Sequence, residues 1–201
     1  VSAGRGYSLT TSDAEDILER VPTVIRALPS ISTSITAKYA NKTYDTSLEG
    51  TTPDYLEVRA AGIAIGRLIS EDDLSKRSNV AIIGQTIVEK LFAGQQPLGE
   101  TISLKGQSFT VVGILNEKGS SFGLDNDDLI LIPLSSFQRL VGSKRLSMIY
   151  FQAGSSAEAP IAVAHIEKVF AQIHRRENSV RVSSQDELLD IIDSTTRTLS
   201  I

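Results

Sequence analysis

Gly94 and Gly99 in GQQPLGET stand at the spacing of a phosphate-binding P-loop, Gly-x-x-x-x-Gly-Lys-Ser/Thr, and Thr101 fills its last position. In such a loop a strand delivers the chain to a glycine-rich turn whose N–H groups cradle phosphates, and the following helix points its positive end at them. Here Glu100 stands where the lysine belongs and would set a negative charge against a polyanion, while Pro97 removes one N–H donor. The order of elements is also reversed, since the helical TIVEKLF precedes the turn and the strand-like TISLKG follows it. The stretch therefore reads as a helix-to-strand loop.

Other residues with chemical potential lack the spacing that chemistry needs. VAIIG leads into a helix with a single glycine and no Gly-x-Gly-x-x-Gly, and Gly4-Arg5-Gly6 follows no strand. LDNDDL is acidic enough to suggest calcium, but an EF-hand loop counted from Asp125 would place Leu129 and Ile130 where an acidic or amide group and a glycine are required. It reads as a polar turn before a buried strand. Glu71-Asp72-Asp73 reads as the first turn of a helix capped by Ser70, where negative charge suits the helix dipole. His165 and His174 fall on one helix, too far apart and too rotated to share a metal. No Gly-x-Ser-x-Gly elbow occurs, and the absence of cysteine excludes disulfides, Cys-based zinc sites and thiol catalysis. No catalytic residue, metal site or cofactor site is expected.

The elements that surround these residues are legible from pattern. SLTTSDAEDILERV is a short helix, with Ser12 and Glu15 in capping-box relation, ending near Pro22 or Pro29. Ile31 to Tyr39 alternates apolar and polar residues, Asn41-Lys42 turns the chain, and Tyr44, Thr46 and Leu48 alternate again, which predicts a hairpin ending before Gly50 and Pro53. The centre consists of short strands and small helices: NVAII; a helix opened by Thr86 and Glu89; a hairpin turning at Lys105-Gly106; LILIPL; and a helix capped by Ser135 and Gln138. From Leu146 the strand SMIYFQA, the helix PIAVAHIEKVFAQIHRR and the strand SVRVS form a crossover unit, followed by a helix from Gln185 capped by Ser184 with Glu187. The outer segments share one texture and the centre another, so the expected class is α+β, with a central subdomain inserted into an outer one.

At 201 residues, 41% hydrophobic and 22% charged, with a net charge of -4 spread along its length, the chain has room for one domain or two small ones and no basic face for nucleic acid. Its apolar runs, Val80 to Ile83 and Leu129 to Leu134, fall far short of the ~18 residues of a membrane span. A start at Val1 without a signal-peptide pattern, and a terminal helix that lacks a stop signal, read as the ends of an excised fragment.

The order LTTSDAEDILERVPTV, GTTPDYLEV, GRLISEDDL, NVAIIGQTIVEKLF, GQQPLGETISLKGQSFTVVGIL, DLILIPLSSFQRLVG resembles the extracytoplasmic core domain of MacB-type, FtsX-like ABC transporter permeases, from about Leu9 to Arg197. The resemblance implies a porter-like subdomain of β-α-β units at 1–52 and 144–201, and an inserted, mostly β sabre subdomain at 53–143. It carries over Gly50, Pro53 and Tyr55 as a boundary turn, and Gly66, Arg67 and Asp73 as a Gly-Arg pair and an acidic helix start. Gly84, Leu91, Phe92, Pro97, Gly99 and Gly113 become the sabre framework. Glu100 stands where many relatives have lysine, and AAGIAI before Gly66 is smaller and less aromatic than the family pattern. The implied function is non-catalytic: the domain of a permease in the bacterial cytoplasmic (inner) membrane, on the periplasmic side, transmitting ATP-driven motion to move or expel substrate outside. Implied partners are a second copy of the permease, a cytoplasmic ABC ATPase, separate or fused, and a membrane-fusion adaptor. The alternative is a ligand-sensing or adaptor-docking module of an FtsX-like permease, and a soluble nucleotide enzyme is a third reading.

Overall fold

The computed structural model describes residues 1–3, 8–121, 124–174 and 180–184. In chain order the elements are β1 (Ser2–Ala3), α1 (Thr11–Arg20), β2 (Val24–Tyr39), β3 (Lys42–Thr51), α2 (Tyr55–Val58), β4 (Ile63–Gly66), α3 (Glu71–Lys76) and β5 (Val80–Ile83). They continue with α4 (Gln85–Phe92), β6 (Thr101–Leu104), β7 (Gln107–Leu115), β8 (Ser120–Ser121), β9 (Leu124–Asp125), β10 (Leu129–Pro133), α5 (Leu134–Val141), β11 (Met148–Ala153), α6 (Ala159–His174) and β12 (Val180–Arg181). The mixture is α+β, as expected. The helix expected from Gln185 and the Gly4-Arg5-Gly6 stretch lie outside the described residues.

Two compact units divide the chain: Val1–Ala27 with Met148–Ile201, and Leu28–Ser147. The second break falls near the expected 143/144 boundary. The first falls inside β2, well before residue 52, so the β2–β3 hairpin belongs with the central unit. Alternation could not reveal this, because residues 27 to 31 of β2 are buried on both faces and Pro29, read as a helix stop, lies within the strand.

In the outer unit, β1 pairs antiparallel with both β11 (Ser2↔Met148) and β12 (Ser2↔Arg181), so β11 and β12 run parallel on either side of it. A parallel pair needs a long crossover, and α6 supplies it. Ile166, Val169 and Phe170 on its inner face are buried, and α1 packs against it. That helix begins two residues earlier than the expected box. Asp13, not Glu15, reaches back, its Oδ2 accepting from the Thr10 amide at 2.7 Å and the Thr10 hydroxyl at 2.9 Å.

The central unit closes on itself. β2 pairs with β3, β3 with β10, β10 with β5, β5 with β7, β7 with β6, and β6 returns to β2 at Ala37↔Leu104 and Lys38↔Ser103. A ring of this kind removes free strand edges. The registers set fully buried Leu48, Ile83, Ile102, Leu104, Phe109, Val111 and Ile130 on one shared face, which fills its interior. β4 lies outside the ring, adding to β7 beyond β6 with a register shift between Ile63 and Ile65. α4 and α5 pack on β3.

Candidate functional site

GQQPLGET occupies the descent from α4 to β6, and most of its backbone donors are already used. The amide of Gly94 donates to Val88 O, Gln95 to Phe92 O, Gly99 to Val111 O and Glu100 to Pro97 O. A phosphate would find these four amides engaged, and the helix presents its C-terminal, negative end to the loop. Glu100 has a structural partner: its Oε2 accepts from the Tyr39 hydroxyl at 3.0 Å, and the Tyr39 ring meets Phe92 with centroids 4.2 Å apart. The carboxylate beside it raises the Tyr39 hydroxyl above the usual phenol range. The acidic substitution thus ties the loop to the tip of the β2–β3 hairpin.

The aspartates of LDNDDL do not converge on a common point; each holds a different piece of chain. Buried Asp127 accepts from the amides of Lys118 at 2.9 Å and Gly119 at 2.7 Å. Asp125 accepts from the Thr86 hydroxyl at 2.7 Å and the Asp127 amide at 2.9 Å, and these bonds hold its carboxyl below the usual range. Asp128 accepts from the Thr46 hydroxyl at 2.6 Å and the Tyr44 hydroxyl at 3.2 Å. No group of three His, Asp or Glu that could hold a metal ion occurs among the described residues. His165 is exposed on α6.

These contacts also correct two expected caps. Thr86 was expected to cap α4, but Gly84 is the N-cap and the Thr86 hydroxyl serves Asp125. Ser135 was expected to cap α5, but Pro133 precedes that helix and the Ser135 hydroxyl donates to Leu74 O at 2.6 Å. Ser70 caps α3 as expected, its hydroxyl accepting from the Asp73 amide at 3.2 Å, and Asp73 reaches back to complete a box: its Oδ2 accepts from the Ser70 amide at 2.9 Å and hydroxyl at 2.8 Å. Arg67 closes the same carboxylate in a two-pronged pair at 2.6 and 3.2 Å, which holds Asp73 far below, and raises Arg67 above, their ordinary ranges.

The carried-over framework residues are spread through the central unit rather than gathered at one place. At Gly50 a Cβ would lie 2.6 Å from Phe137 Cβ; at Gly84 it would strike the Asp127 carbonyl, and at Gly113 the Arg67 carbonyl. Gly66 takes φ +88° beside Leu98, and Gly99 takes φ +86° with open space around it. Pro53 is half-buried before α2, Tyr55 is 4% exposed on it, Leu91 and Phe92 are buried on α4, and Pro97 is buried in the loop. The arrangement is a framework of turns and brackets without a reacting centre.

What the surface does offer lies along β4. Its outer edge has no strand partner among the described residues, and Ile65 at 44% and Leu98 at 39% are exposed there. Lys118 Nζ reaches the Arg59 carbonyl just before this strand at 2.6 Å, and burial together with the Arg59 charge lowers its pKa. Sequence reasoning had marked AAGIAI for its composition; its place at a sheet edge was not readable from it.

The sequence profile of the MacB-like periplasmic core domain family matches residues 1–169. Curated relatives include the macrolide export ATP-binding/permease protein MacB of Chlorobium luteolum, 30% identical over 96% of this chain, and that of Chlorobium phaeobacteroides, 31% identical over 99%. The chain spans about a third of such relatives, 30% and 31% of their lengths. Among solved structures, the periplasmic region of MacB from Actinobacillus actinomycetemcomitans matches with a TM-score of 0.80 at 21% identity, covering 94% of this chain and 85% of that one. The extracellular domain of the noncanonic ABC-type transporter YknZ from Gram-positive bacteria matches with 0.77 at 22% identity, covering 88% and 90%.

Proposed function

This chain belongs to the MacB-like periplasmic core domain family, and from that membership we propose that it serves an ABC permease as its non-catalytic transmitter of motion. It is the extracytoplasmic core domain of a MacB-like permease, standing on the outer side of the bacterial cytoplasmic membrane. The match over residues 1–169 carries the reading. In it, a cytoplasmic ATPase, fused or separate, hydrolyses ATP, two permeases pair, and membrane helices deliver the resulting movement to the external domains, which move or expel substrate on the outer side. A membrane-fusion adaptor is the proposed recipient or guide of that substrate. Two compact units, joined by two crossings of the chain, suit a part that must move as rigid bodies. The subdomain names porter and sabre are proposed for the outer and central units.

Deleting this domain from the full-length permease tests the reading, because ATP hydrolysis should persist while substrate release is lost. Release that continues at the original rate would contradict it.

The exposed edge of β4 favours a second reading, in which the domain is an adaptor-docking or ligand-sensing module. Apolar Ile65 and Leu98 beside an unpaired strand edge are the surface such a module would use. Replacing both with aspartate separates the readings: docking would be abolished, while a transmitter that needs no contact there keeps its ATP-driven movement.

A further inference from the structure

The chain enters the central unit at Ala27–Leu28 and leaves it at Ser147–Met148. Just inside, these two crossings are tied together. The Ser147 amide donates to Ser30 O at 2.9 Å, and the Ser147 hydroxyl accepts from the Ser32 amide at 3.1 Å. Ser30, 4% exposed, is held in turn from β3, where its hydroxyl donates to Glu49 Oε1 at 2.7 Å.

Glu49 is an unusual residue for that place. On β3 it lies opposite Ser32, and its neighbour on the same face, Thr51, is fully buried with a hydroxyl that has no hydrogen-bond partner among the described residues. The Ser30 hydroxyl thus donates to a carboxylate that has given up much of its water. The segment that follows β3 carries Asp54, Glu57 and Arg59, and of these the Arg59 charge acts on Glu49, favouring its ionised form. Loss of water outweighs both Arg59 and Ser30 and raises the Glu49 carboxyl above its ordinary range.

We propose that Glu49, Ser30, Ser32 and Ser147 form a proton-sensitive clasp on the entry and exit of the central unit, closed more tightly when Glu49 carries its proton. The sign follows from linkage. A carboxyl raised in the folded state favours the closed state at pH below its unfolded value, and that contribution is lost as pH rises through the folded value. Ionised Glu49 regains water when the strands part, so opening is easier at neutral pH than at acid pH.

Amide hydrogen exchange on the intact chain tests this, expressed as protection factors so that the intrinsic pH dependence of exchange is divided out. Protection of the Ser32 and Ser147 amides should rise on the order of ten-fold for each unit by which Glu49 is raised, as pH falls from 7 to 4. Amides of Ala81 to Ile83 in β5 serve as the internal reference. Glu49→Gln, which keeps the acceptor without the charge, should show the acid-like protection at every pH, and Ser30→Ala should lower protection at both crossings while β5 stays unchanged. Protection at Ser32 and Ser147 that does not vary with pH relative to β5, or that varies equally in Glu49→Gln, would overturn the proposal.

Discussion

Hydroxyls and carboxylates in this chain act as fasteners, some on neighbours in sequence and others on partners far away. The Ser70 cap could be read directly because it is local, and the return bonds of Asp73 and the grip of Arg67 were added by the fold. Thr86 and Ser135 looked like caps by the same spacing rule, yet they bond to Asp125 and Leu74, groups 39 and 61 residues away. Local spacing has no access to a competitor of that kind. Because Asp73 is held below its ordinary range, the stability it confers is complete above about pH 4, the usual carboxylate value, and fades as pH falls toward its folded value. Asp73→Asn should therefore lower the thermal midpoint at pH 7 by an amount worth about 1 kcal/mol, and the deficit should shrink in acid. Gly84→Ala should cost more, about 2–3 kcal/mol by denaturant titration, because the new methyl meets the Asp127 backbone carbonyl rather than a side chain that could turn away.

At the scale of elements, the order of helices and strands was legible because each short piece kept its own period and its own turn residues. The Lys105-Gly106 turn, for example, takes the paired positive φ values of 49° and 79° that a tight hairpin requires. Closure of the strands into a ring was not legible, since it depends on β6 meeting β2 across sixty-odd residues, a pairing that no periodicity announces. The loop after α4 shows how far a motif depends on its elements. Glu100→Lys would complete the letters of a P-loop, and titration calorimetry with magnesium ATP should still give no binding heat, because the amides of Gly94, Gln95, Gly99 and Glu100 remain bonded. Ala93, which ends α4 at φ 54°, offers the opposite kind of change. Ala93→Gly should stabilise the chain by about 0.5–1 kcal/mol, a rise of a few degrees in thermal midpoint, since glycine takes the left-handed region without penalty.

The chain passes between its two compact units at residues 27/28 and 147/148. The exit near residue 147 coincides with a change from short central strands to the β11–α6–β12 crossover, so the composition shift marks it. The entry lies inside one uninterrupted strand, where no glycine or proline signal separates residue 27 from residue 28 and Pro29 misleads. The central claim is that ATP hydrolysed elsewhere moves this domain, and pulsed electron spin resonance measures that movement directly. The chain contains no cysteine, so Lys144→Cys places a single spin label on the exposed surface of the central unit in each copy of an otherwise cysteine-free permease and ATPase assembly. The account predicts that the distance distribution between the two labels shifts when ATP is trapped before hydrolysis and returns after nucleotide release. A distribution that stays the same in the nucleotide-free, ATP-bound and ADP-bound assemblies would contradict it.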